Sequence, residues 1–148
     1  MPKTPIEVEI FGQSISYYIE RSARPWSILS GILALFYIGS FWLEVSYLNL
    51  MAPLALIGLI VMAVFTSYNF IRQGEYNWRQ VVMTCIFIGV GAGLVSAFLA
   101  FIRFWYIWLF FNLVTEPVWS GLLAGAISVL TIGFFQLPQA FAKLKRLS

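Results

Sequence analysis

Four long stretches of the chain are apolar and carry no charge: Trp26 to Leu43, Met51 to Ile71, Val81 to Ile102 and Val118 to Leu137. Each is close to the ~20 residues a helix needs to cross a ~30 Å hydrocarbon core, so each predicts a transmembrane helix. Prolines mark the expected helix starts. Pro25 precedes the first span, Pro53 sits early in the second, and Thr115-Glu116-Pro117 opens the fourth. A proline in a first turn lacks only an N–H that has no partner there.

The stretch between the third and fourth spans is different. Phe104 to Thr115 reaches only ~18 Å as a helix, too short to cross. It is dense in Trp and Tyr, whose rings and polar edges favour the headgroup level. Phe104, Trp105, Tyr106, Trp108, Phe110 and Phe111 therefore predict an interfacial segment, with Trp42, Trp105, Tyr106, Trp108 and Trp119 as anchors.

Two flanks complete the pattern. In residues 1–25, Val8, Phe11, Ile15, Tyr18 and Ile19 share one helical face, which predicts an amphipathic surface helix. Ile6, Val8 and Ile10 alternate with Glu7 and Glu9, which suits a short strand instead, and Gly12 weakens the helix. Residues 138–148 form a basic tail with Lys143, Lys145 and Arg146. The expected fold is all-α, with four transmembrane helices in two hairpins filling residues 26–137. A weak repeat agrees with that pairing: Phe41-Trp42 and Asn49-Leu50 match Phe104-Trp105 and Asn112-Leu113, and a proline follows each, at Pro53 and Pro117.

Charge adds the orientation. Lys3, Arg21 and Arg24 precede span one, Arg72 and Arg79 lie between spans two and three, and the basic tail follows span four. The opposite connections hold only Arg103. Basic residues stay on the cytoplasmic side, so both termini are expected inside, in a bacterial-type inner membrane. Of the 148 residues 61% are hydrophobic and 10% charged, against about 25% charged in soluble domains. That excludes a water-facing surface and turns the net charge of +3 into a topology signal rather than a nucleic-acid footprint.

The candidate chemistry is sparse. Histidine is absent and Cys85 is the single cysteine, so no disulfide can form within the chain and the commonest metal ligand is missing. No nucleophile–base arrangement, metal-ligand spacing or phosphate loop is found, so neither catalytic residues nor a cofactor is expected. Small residues do line up. Cys85, Gly89, Gly93, Ser96 and Ala100 run along span three, and Gly121, Gly125 and Ser128 along span four. Such stripes let backbones approach closely in lipid. They predict either packing of span three on span four within the chain or a seam for a partner or pore. Glu44, Arg103 and Glu116 fall at the outer span ends, as interfacial residues or as a small polar site beneath the aromatic connections.

ARPWSIL at the first span and TEPVWSGLLAGAISVL at the last are similar to the Arg-Pro and Pro-x-Trp span openings of small phage and gene-transfer-agent holins. The resemblance covers only those two stretches, with two further spans between them. It implies a pore-forming class as one alternative. The leading expectation is a non-catalytic accessory subunit of a larger membrane assembly, meeting lipid and partner or identical helices through helices three and four. The alternative is a homo-oligomeric channel, holin-like pore or small transporter.

Overall fold

The computed structural model describes residues 9–40, 47–74, 77–104 and 109–147, with backbone alone at 47–51, 104, 109–110 and 137–147. They form a two-stranded hairpin and four helices: β1 (Glu9–Ile10), β2 (Gln13–Ser14), α1 (Ile15–Gly39), α2 (Tyr47–Arg72), α3 (Trp78–Phe104) and α4 (Leu109–Leu147). Ala52–Arg72, Trp78–Arg103 and Phe111–Gln136 are long and apolar enough to cross a membrane. α1 falls short of that measure within the described residues. Its first ten residues, ISYYIERSAR, are rich in polar side chains, and it stops at Gly39 rather than the expected Leu43. Ser40 closes it, donating its N–H to Phe36 O at 2.8 Å and its hydroxyl to Tyr37 O at 2.7 Å. Residues 41–46 lie outside the described structure.

Over Glu9 to Ser14 the N-terminal segment corrects the expectation of a surface helix, while Val8 lies outside the described residues. Glu9 pairs with Ser14 and Ile10 with Gln13 in an antiparallel hairpin. Its turn residues, Phe11 and Gly12, have φ of 52° and 78°. Two consecutive positive φ values are the signature of the two-residue type I′ turn, whose twist matches that of paired strands. Ser14 then caps α1, its side chain accepting the Tyr17 N–H at 3.3 Å. From Ile15 onward the amphipathic stretch and the first apolar run are one continuous helix, with no break at residue 25.

All three helix-start prolines are likewise interior. Pro25 lies inside α1 and Pro53 inside α2, and α4 begins at Leu109 and passes through Pro117. The expected interfacial segment is therefore divided. Phe104 ends α3, Phe110 and Phe111 belong to α4, and 105–108 lie outside the described residues. In a bilayer a broken helix exposes backbone groups that no water can satisfy, so a membrane helix carries a proline through rather than stopping at it. The α2–α3 turn follows the sequence: Gly74 adopts φ 77°, and Asn77 caps α3 by accepting the Arg79 N–H at 3.1 Å.

α3 touches all three other helices and is packed most closely by α4; α1 lies on α3 and, less extensively, on α2. The larger of two buried clusters is drawn from every helix, including Leu29 and Leu33 of α1, Leu59 and Ala63 of α2, Cys85 and Ile88 of α3, and Ala124 of α4; the smaller joins Phe70, Val81 and Ile132. Along α4, Pro117, Gly121, Ala124, Ser128 and Thr131 are buried, a 3.5-residue rhythm suited to a left-handed bundle. Arg21, Arg24, Arg72 and Arg79 gather at one end of the bundle, with the hairpin, and Arg103 lies at the other.

Candidate functional site

The sequence-predicted small residues separate into three environments. Gly89 and Gly93 face the backbone of α4. A Cβ at Gly89 would run into Ser120 O, and one at Gly93 would lie 2.7 Å from Glu116 O and from Pro117 Cα. Gly121 and Gly125 face α3 in return, against side-chain atoms of Val90 and Ile86, each 2.9 Å away. Gly91, between the two seam glycines, points to α1 and seats the Trp26 ring, 3.2 Å from its Cβ position. This face of α3 is thus filled within the chain. Ala100 packs at the edge of the core cluster.

Ser128 belongs to a second environment. It is fully buried, as are Ser67 of α2 and Cys85 of α3. Ser67 Oγ donates to Ala63 O at 2.7 Å and lies 3.0 Å from Ser128 Oγ. Ser67 is oriented to donate to either oxygen, and its one hydroxyl proton serves one acceptor at a time. Cys85 Sγ sits 3.6 Å from Ser67 Oγ and 3.7 Å from Ala63 O. The node ties α2, α3 and α4 together where lipid tails offer no alternative partner. Hydrogen bonds between membrane helices contribute about 0.6 kcal/mol on average, so Ser67→Ala and Ser128→Ala should each lose roughly that amount. A double-mutant cycle read by unfolding in detergent would return a coupling near zero if the two hydroxyls acted independently.

Ser96 belongs to the third. With Glu116 and Ser120 it lines a cleft of about 320 Å³ that also meets Ala52, Leu59 and Trp119, at the end of the bundle where α4 begins. The structure thus joins one residue of the expected seam to one of the expected polar site. Arg103 lies half-buried in the last turn of α3, and Glu44 is outside the described residues. Of the anchors, Trp119 is 71% exposed on the outer face of α4, and Trp42, Trp105, Tyr106 and Trp108 are outside the described residues. Among the described residues no group of three metal-capable side chains occurs.

Two features escaped the sequence reading. The first is Tyr18, which is 0% exposed. Its hydroxyl donates to Ile10 O at 2.7 Å, and its ring stacks on Phe87 of α3 at 5.7 Å. The hairpin tip is held as well, Gln80 Nε2 donating to Phe11 O at 3.3 Å and the Arg79 guanidinium lying 5.7 Å from the Phe11 ring. The second is a groove between α1 and α2 at the basic end, of about 670 Å³ and lined in part by Arg21, Arg24, Asn69 and Gln73. Arg24 and Asn69 carry no sequence signal that pairs them across two helices.

An all-helical fold with three helices able to cross a bilayer, held by glycine seams and a buried hydroxyl node, defines the class: an α-helical integral membrane protein. Compared with known proteins, the chain matches no family model, no curated protein and no solved structure.

Proposed function

We propose that the chain is a small non-catalytic subunit of a larger membrane assembly, crossing the bilayer four times with both termini on the cytoplasmic side. The fourth crossing is α1. Leu29 and Leu33 share the buried cluster with Leu59, Ala63 and Ile88, so α1 runs at the depth of the other spans. The observation that carries the subunit reading is the distribution of glycines. Gly58, Gly89, Gly91, Gly93, Gly121 and Gly125 are each covered by a neighbouring helix, whereas among the described residues nothing lies within 4 Å of a Cβ at Gly31, Gly39 or Gly133. Gly31 follows Ser27 by one turn on an exposed face of α1 that includes Leu35, 70% exposed. A small-x-x-x-small pair left open in this way accepts a partner helix at close range.

The pore reading draws less support. Ser67, Thr84 and Thr131 are buried and bond back to carbonyls of their own helices, at 2.7 to 2.8 Å, so they line no open path within one chain. Photo-crosslinking from a probe attached to a single introduced cysteine, in native membranes, tests the proposal in a Cys85→Ala background. Gly31→Cys or Gly133→Cys should crosslink to another polypeptide, while Gly93→Cys, enclosed between α3 and α4, should not. Crosslinks only to a second copy would move the reading to a homo-oligomer, and none at either open glycine would overturn it.

A further inference from the structure

The groove between α1 and α2 has the polarity of a phospholipid. Arg21 and Arg24 lie one turn apart on α1, and Asn69 in the last turn of α2 and Gln73 just past its end face them, all lining the same cleft. Toward the middle of the spans the lining turns apolar, with Val61 and Phe65 both more than half exposed. Among the described residues no carboxylate lines it. Arg21 is held in place, its guanidinium carbon 4.9 Å from the Phe70 ring centroid and 5.4 Å from that of Tyr17. A guanidinium packed over rings keeps its in-plane N–H fork available, and that fork matches phosphate oxygens. The volume, about 670 Å³, is that of a small-ligand site, and its mouth lies at the basic end of the bundle, at headgroup level.

We propose that this groove binds an anionic phospholipid of the leaflet at the basic end. Its phosphate sits between the two arginines and the Asn69–Gln73 amides, and one acyl chain lies along Val61 and Phe65. The site rests on the membrane class alone and is independent of the subunit reading. Charge clustered for topology needs no groove, and an apolar groove for a partner helix needs no paired guanidiniums and amides at its mouth; a lipid uses both.

The test is native mass spectrometry of the purified full chain, with phosphatidylglycerol and phosphatidylcholine offered in equal amounts. Phosphatidylglycerol should be retained preferentially, on the order of tenfold or more, since each cation near an anionic headgroup contributes roughly fivefold. Arg21→Gln with Arg24→Gln should abolish most of that preference. Lys143→Gln with Lys145→Gln removes the same charge from the same end and should leave it within about twofold. Val61→Trp, at an exposed position, fills the apolar half while keeping both arginines and should lower retention severalfold. Equal retention of the two lipids, equal loss in both double variants, or undiminished retention in Val61→Trp would each overturn the proposal. So would a polypeptide, rather than lipid, captured by a photo-crosslinker at Phe65.

Discussion

Gly89→Ala is expected to loosen the whole α3–α4 pair, destabilising the protein by about 1–3 kcal/mol, the usual range for overpacking a tight contact. The added methyl would meet Ser120 O, with Ser120 C at 2.7 Å and Gly121 Cα at 2.8 Å. All three are helix backbone atoms and cannot rotate aside, so the helices must separate and give up dispersion along their length. In lipid that dispersion is most of what holds two apolar helices together. Gly93→Ala, against Glu116 O and Pro117 Cα, should behave alike. The double variant should lose less than the sum, because helices moved apart by the first methyl already admit the second. Gly121→Ala and Gly125→Ala meet side chains of Val90 and Ile86 that can shift, and should lose less. Gly133→Ala meets no atom of the described residues within 4 Å and should be neutral or stabilising by up to ~1 kcal/mol, as glycine is a weak helix former. Unfolding in mixed detergent micelles ranks the five. Equal stability of Gly89→Ala and Gly133→Ala would mean that α3 and α4 do not meet as described.

Tyr18→Ala should be the other large loss, about 3 kcal/mol or more, in line with aromatic truncations at fully buried positions. It removes the stack on Phe87 and the T-shaped contact with Tyr17, whose centroid is 5.3 Å away, and leaves Ile10 O without its donor. Tyr18→Phe separates these effects: it keeps the ring and should lose only about 1 kcal/mol for the hydrogen bond. Hydrogen exchange should then rise at the hairpin and at the start of α3 before it rises in the spans. Identical exchange in wild type and both variants would show that Tyr18 does not hold the hairpin. The same contact makes docking alkali-sensitive. Burial, and secondarily Tyr17, holds the Tyr18 phenol above its ordinary value near 10.0. The folded state thus binds this proton more tightly, so the contribution is intact below about pH 10 and is lost as pH rises through the higher folded value.

The sequence shows the spans well and their ends poorly. Met51 to Ile71 and Val81 to Ile102 lie within α2 and α3, because an uncharged run of that length has one physical outcome in a bilayer. Pro25, Pro53 and Pro117 mislead because their use as start signals comes from helices in water, where stopping at a proline exposes backbone to solvent that can satisfy it. The hairpin was only half visible. The alternation around Glu9 suits a strand and Gly12 weakens a helix, but Phe11 at φ 52° is a conformation that non-glycine residues rarely adopt and depends on contacts made by Gln80 and Arg79 far along the chain. Small residues on α3 announce a close approach without naming the partner: the stripe through Gly89 and Gly93 omits Gly91, which receives a tryptophan of α1 while they receive the backbone of α4. The hydroxyl node is invisible for the same reason: Ser67 and Ser128 are 61 residues apart, and no spacing in the sequence pairs them.

The central helices are matched in length. α2 runs for 26 residues and α3 for 27, about 40 Å of helix each. A ~30 Å hydrocarbon layer takes in helices of that length only when they lean or when their ends emerge. Because glycine contacts fasten α3 to α4 backbone to backbone, those two lean as one body, and α2, tied to both through Ser67, leans with them. A thicker bilayer would let the three stand up together and a thinner one would lay them down, with tilt rather than sliding between helices absorbing the hydrophobic mismatch.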